Sequence, residues 1–124
     1  MATAGFDFAT LRHALEHGDA ATLAALYAED AEMTIVDRNR PPSAPLRLLG
    51  RPAIAGFWQD VCARPMTHAV AEAVVGADRI AFVEHCTYPD GCNVLSAMTL
   101  DVVEGRITRH LTVQAWDEVA GTPG

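Results

Sequence analysis

Three side chains carry most of the acid–base potential of this sequence: His85, His110 and Asp37. Imidazole titrates near neutral pH, so a histidine can accept or release a proton under ordinary conditions. A carboxylate beside it fixes its tautomer and raises its pKa. A second histidine pair, His13 and His17, stands at i, i+4, a spacing compatible with a metal ion. No third ligand accompanies it and no HExxH pattern is present, so it reads as a solvated helix face and no metal site is expected. The cysteines, Cys62, Cys86 and Cys92, form no CxxC pair. Their odd number argues against a disulfide framework, and they read as reduced thiols of a cytoplasmic protein.

These groups need a scaffold, and the hydrophobic pattern supplies one. Phe8, Leu11, Ala14 and Leu15 recur at helical spacing behind a capping Asp7. Gly18 ends that helix, and Asp19 opens a second one with Leu23, Leu26 and Tyr27 on one face. A strand is expected over 31–37, with Met33, Ile35 and Asp37 sharing a face. The loop that follows holds Pro41, Pro42 and Pro45 and cannot join a central strand. A short strand over 46–49 precedes Pro52, placed as a first helical residue. Ile54, Phe57, Trp58, Val61 and Cys62 then outline an amphipathic third helix. Four strands follow, over 67–75, 79–88, 93–102 and 106–116, and 117–124 reads as a frayed tail. Helices first and strands last indicate an α+β domain with an antiparallel sheet.

The 124 residues fit one domain, taken as 1–124 with its core at 8–116. Half of the residues are hydrophobic and 20% are charged, an ordinary globular balance. The net charge of −7 comes without any Lys/Arg run, which disfavours nucleic acid and anionic membranes as partners. No signal peptide is visible at Met1–Phe8, and no apolar run approaches a membrane span.

Three motifs in this order resemble a known family. Residues 18–31, GDAATLAALYAEDA, resemble the helical hairpin of SnoaL-like domains of the nuclear transport factor 2-like superfamily. Gly50-Arg51-Pro52-Ala53-Ile54 is similar to their opening of the third helix, and Gly105-Arg106-Ile107-Thr108-Arg109-His110 to their final hairpin. The resemblance spans about Leu11 to Trp116. It implies a cystatin-like cone, with N-terminal helices packed in the concave face of a curved antiparallel sheet. It also implies a pocket, dimerisation through the sheet, and a histidine, here His110, that lines the pocket. It does not choose an activity, because one fold hosts isomerases, cyclases, hydrolases, dehydratases and binding modules.

Strand pairing indicates which side chains face that pocket. The turn over Pro89–Cys92 sets Tyr88 opposite Asn93, and hence His85 opposite Ser96 and Val83 opposite Met98. In the last hairpin a three-residue loop, Val103-Glu104-Gly105, sets Met98 opposite His110 and Ser96 opposite Thr112. A two-residue loop shifts every pair and turns His110 to the other face. The resemblance favours the longer loop. The expected concave face is then Val83, His85, Thr87, Val94, Ser96, Met98, His110, Thr112 and Gln114. Ile35 and Asp37 extend it, and Tyr27, Phe57 and Trp58 form the helical wall. Glu84, Cys86, Phe82, Tyr88 and Leu95 are expected outside, making an apolar outer face suited to a homodimer.

The resemblance also lets known chemistries be checked. The places that steroid isomerases give to a tyrosine, a base and an acid are held by Leu11, Ile35 and Ser96. Asp37, two residues past Ile35, leaves room for a displaced base. SnoaL-like cyclases pair an aspartate with the final-hairpin histidine, and that aspartate place reads Met98. The Asp-Arg-Asp set of the epoxide hydrolases reads His85, Thr87 and Thr112. What remains is an apolar cup for a small organic molecule, with His110 as general base, Asp37 orienting it, and His85, Ser96 or Gln114 holding a polar group. Such a protein is a cofactor-independent isomerase, cyclase or dehydratase. The alternative is a non-catalytic ligand-binding or dimeric interaction module.

Overall fold

The computed structural model describes residues 5–117. Asp7 starts helix α1 (Phe8–His17) by accepting the Thr10 N–H, and Gly18 stops it at φ 67°, a left-handed conformation that glycine adopts without strain. Asp19 repeats the capping device for α2 (Ala20–Ala25), accepting from Thr22 N at 3.1 Å. The helical hairpin is as expected, but α2 is shorter. Tyr27 does not lie on it; Tyr27 opens strand β1 (Tyr27–Val36). The cause is the sheet: Ile107 N–H donates to Leu26 O at 2.9 Å and draws the chain into pairing there. β1 also ends at Val36, so Asp37 lies just past it, in a bridge with Arg40.

Strand β2 (Leu46–Leu49) and helix α3 (Arg51–Ala63, with Pro52 in its first turn) follow as expected. β3 (Thr67–Val75), β4 (Arg79–Thr87), β5 (Asn93–Val103) and β6 (Arg106–Trp116) form an antiparallel meander. The six-stranded order is β2-β1-β6-β5-β4-β3, with β1 and β6 parallel and every other pair antiparallel. A break in the β3–β4 pairing between Ala71 and Val74, with Glu72 at φ 51°, bends the sheet over the helices. Helix α1 packs on β3, and α3 on α2 and β1. Leu11 and Leu15 of α1 and Ile54 and Trp58 of α3 meet Met33, Ile80, Phe82, Leu100 and Ile107 of the sheet. Each such side chain contributes about 1.5–3 kcal/mol by leaving water. Among the described residues no helix is long and apolar enough to cross a membrane. The tail expected to fray lies outside the described residues except for Asp117, whose backbone and carboxylate both bond Asn93.

Both hairpin registers differ from expectation, with opposite consequences. The β4–β5 loop is one residue longer: Thr87, not Tyr88, faces Asn93. Tyr88 instead enters the loop, where its N–H donates to Cys92 O at 2.9 Å, with Gly91 at φ 91°. Alternation then flips the whole of β4. Val83, His85 and Thr87 turn outward, and Phe82, Glu84 and Cys86 turn inward.

The β5–β6 loop is one residue shorter than expected. Glu104 (φ 51°) and Gly105 (φ 78°) form a two-residue turn, and Val103 pairs with Arg106. That change alone would expel His110. A register shift after Asp101 restores the phase: Val102 pairs with Ile107 but Asp101 with Arg109, leaving Thr108 as the extra residue. His110, Thr112 and Gln114 therefore keep the inner phase, displaced two residues along β5: Met98 faces Thr112 and Leu100 faces His110.

Candidate functional site

The inner face of the sheet and α3 enclose a cavity of about 80 Å³. Its apolar wall includes Ile35, Phe57, Trp58, Val94 and Met98. Asp37, Arg40, Arg64, Tyr88, Gln114 and Trp116 add polar groups and aromatic rings. Tyr88 and Trp116 stack at 6.0 Å, and Arg38 lies 4.2 Å over the Trp116 ring. Glu84, Cys86 and Thr112 complete the lining from the sheet.

His110 is buried and sits in a hydrogen-bonded chain. Trp58 Nε1 donates to Tyr27 Oη at 3.2 Å, and Tyr27 Oη lies 2.7 Å from His110 Nδ1. His110 Nε2 lies 2.7 Å from Thr112 Oγ1. With the Tyr27 oxygen already accepting from Trp58, the arrangement that uses every donor has Tyr27 O–H donating to Nδ1 and Nε2–H donating to Thr112. Burial alone pulls the His110 pKa down to about 3. Burial also pushes the Tyr27 phenol up, so both rings stay neutral. The chain ends at the Thr112 hydroxyl, whose proton is left to point elsewhere.

Asp37 does not orient His110, since both ring nitrogens are taken. It accepts from Asn39 N at 2.8 Å and stands 3.5 Å from Arg40 Nη1. Its removal from the dyad follows from β1 ending at Val36. His85 is exposed on the outer face and Val83 half-buried there, for the register reason above. Ser96 is buried on the inner face opposite Glu84 and Gln114, and its Oγ has no hydrogen-bond partner among the described residues. Gln114 accepts from Trp116 Nε1 at 3.0 Å. Met98, Thr112, Ile35, Phe57 and Trp58 line the cavity, whereas Tyr27, expected on the helical wall, is buried at the start of β1. His13 and His17 stack at 4.0 Å on an exposed helix face.

The fold assembles a second polar group that was expected outside. Glu84 Oε2 and His68 Nδ1 meet at 2.7 Å, with side chains only 4% and 6% exposed. Cys86 Sγ lies 3.4 Å from the same nitrogen. Burial, and next to it Glu84, push the Cys86 thiol pKa up, so it stays protonated. His68 carried no sequence signal of its own. The phase of β4 did: Ile80 and Phe82 are the bulkiest apolar residues of that strand, and Glu84 and Cys86 share their parity.

Comparison with known proteins agrees with this architecture. The nuclear transport factor 2-like protein of unknown function from Mesorhizobium loti is 22% identical, with a TM-score of 0.77 over 87% of both chains. A candidate ketosteroid isomerase from Kribbella flavida is 21% identical, with a TM-score of 0.72 over 94% of this chain and 79% of that one. IdmH, a candidate polyketide cyclase from Streptomyces antibioticus, is 29% identical, with a TM-score of 0.63 over 86% of this chain and 88% of its own. No match is found among proteins of curated function. The SnoaL-like domain family matches residues 8–110, and with the helical hairpin, the cone and the inward histidine of the last strand in place, the chain belongs to that family.

Proposed function

We infer that this protein binds a small organic molecule in the cone and moves a proton on it without an organic cofactor, as an isomerase, cyclase or dehydratase does. Glu84 is the acid–base group and His68 orients it. The observation that carries this reading is a carboxylate on the cavity wall, 4% exposed and 2.7 Å from an imidazole. A buried carboxylate–histidine pair next to an apolar cavity is a standard means of holding a proton where a substrate can reach it. His110, the base expected from sequence, suits a positioning role better. A ring with a pKa near 3 and both nitrogens engaged is a poor proton acceptor at neutral pH. It sets the Thr112 hydroxyl, which lines the same cavity.

The cavity of about 80 Å³ is small beside the roughly 300–1,000 Å³ of drug-sized sites. It favours a ligand of few heavy atoms. The same size supports the second reading, a non-catalytic binding module. Solvent-deuterium exchange into small ketones and 1,3-dicarbonyl compounds distinguishes the two. Exchange that wild type catalyses and a folded Glu84→Gln variant does not is the expected result. Equal exchange in both removes Glu84 from the mechanism.

The partner reading is a homodimer through the outer sheet face. Leu95, Leu111 and Val113 are 42–45% exposed on neighbouring strands β5 and β6. Paired sheets bury such rows without opening either core.

A further inference from the structure

Cys86 has no part in the acid–base reading, yet it completes a cluster. Its sulfur lies 3.4 Å from His68 Nδ1, the nitrogen that also meets Glu84 Oε2 at 2.7 Å. One imidazole nitrogen thus faces a thiol and a carboxylate together. The three donor atoms lie within 4.8 Å of one another. Glu84 and Cys86 line the cavity, and Ser96, opposite Glu84 on the inner face, has a buried Oγ without a partner among the described residues.

We propose that His68 Nδ1, Glu84 Oε2 and Cys86 Sγ form a three-ligand site for a Zn²⁺-class ion, with the fourth position turned to the cavity. Bonds of about 2.0–2.3 Å in a tetrahedron put ligand atoms roughly 3.2–3.8 Å apart. The sulfur–nitrogen contact already has that length. The nitrogen–oxygen contact must open by about half an ångström, within the reach of a glutamate rotamer. The N, O and S donor set suits zinc, whereas Mg²⁺ and Ca²⁺ take oxygen ligands. Charge balances too: one thiolate, one carboxylate, a neutral imidazole and a dication sum to zero inside a low-dielectric wall. Binding releases the thiol proton of Cys86, and His68 ligates through an Nδ1 that carries no proton.

The site does not rest on the acid–base reading and is separable from it. An ion ligated by Glu84 takes the carboxylate out of proton transfer, so the metal-free and loaded proteins are distinct states. The test titrates the reduced, metal-free protein with Co²⁺ and then displaces it with Zn²⁺. Expected are one ion per chain and a thiolate-to-cobalt charge-transfer band. That band vanishes in Cys86→Ser and persists in Cys62→Ser and Cys92→Ser. His68→Ala and Glu84→Gln weaken binding by about 10- to 100-fold. X-ray absorption of the wild-type zinc complex, which needs no variant, shows one sulfur among lighter ligands. No saturable uptake, a band that survives Cys86→Ser, or a zinc shell without sulfur overturns the proposal. Deuterium exchange by the metal-free protein is read separately, so failure of one reading leaves the other standing.

Discussion

Glu84 on β4 and His68 on β3 meet at 2.7 Å, although direct pairing sets His68 opposite Cys86 and Glu84 opposite Val70. The contact is a diagonal across adjacent strands, made inside the cone where water is nearly excluded. Buried pairs of this kind are asymmetric in energy. Removing one member strands the other, whereas replacing both with apolar groups removes the desolvation cost as well.

A double-mutant cycle should show that asymmetry. Glu84→Leu alone is expected to destabilise by about 3 kcal/mol, because His68 loses its acceptor in a dry wall. His68→Leu with Glu84→Leu should recover most of that loss. Urea midpoints of the four proteins measure the coupling. Additive losses would mean that the pair is not energetically linked.

His110 makes stability depend on pH in a defined window. Its pKa falls from 6.5 to about 3 on folding. The folded state therefore binds fewer protons than the unfolded one between those values, and stability rises with pH there. The contribution is complete above pH 6.5 and fades as pH falls toward 3, by a few kcal/mol, at about 1.4 kcal/mol per pH unit. Tyr27, Trp58 and Thr112, the groups that surround the ring, carry no charge in this range. The wild-type slope of unfolding free energy against pH should exceed that of His110→Gln by nearly one proton around pH 5. Parallel slopes would place the His110 pKa near its ordinary value.

How far the sequence carried this picture can be judged at three places. The caps at Asp7, Gly18 and Asp19, Pro52 in α3 and the last four strand blocks are local signals found where the residues put them, whereas β1 starts at Tyr27 rather than Ala31. Facing is a different matter, because one residue in a loop inverts a strand. The Tyr88–Cys92 loop closes on a Tyr88–Cys92 backbone bond that residue types do not announce, and it moved His85 out and Glu84 in. At His110 two departures cancelled, a shorter turn and the Thr108 bulge. Its inward phase was therefore read correctly from a register that does not exist. The Asp37–His110 dyad failed for a third reason. Sequence proximity to Ile35 does not reveal where β1 stops pairing, and Tyr27, read as helical, holds the nitrogen that Asp37 was to take.

Tyr27→Phe tests the chain directly. The hydroxyl accepts from Trp58 Nε1 and donates to His110 Nδ1, so its loss orphans two buried groups. A cost of about 2–4 kcal/mol is expected, against about 1–2 kcal/mol for Thr112→Val, which orphans only Nε2. Thermal or urea unfolding gives the order. If Thr112→Val is the costlier change, the Tyr27 hydroxyl does not hold Trp58 and His110 together as the distances indicate.

Glu104 stands in the left-handed region at φ 51°, followed by Gly105 at 78°. Asn-Gly is the preferred pair for such a two-residue turn, because Asn tolerates that conformation better than Glu. Glu104→Asn should raise stability by about 0.5–1 kcal/mol, a gain visible as a higher melting temperature. Gly105→Ala should lower it. A neutral result for both would mean that the turn does not hold this geometry in solution.

The outer face offers the last test. Leu111 pairs with Thr99 and Val113 with Ala97, so exposed apolar chains and small neighbours form a row on β5 and β6, the central strands of the sheet. Glutamate introduced there leaves the inner core untouched but puts like charges at the centre of a two-fold contact, where each copy meets itself. Leu111→Glu with Val113→Glu should convert a dimer to a monomer by light scattering, while the far-ultraviolet circular dichroism stays unchanged. The midpoint of unfolding should then lose its dependence on protein concentration, since mass action stabilises only the associated form. A wild-type protein that already runs as a monomer at all concentrations assigns the exposed row to some other contact.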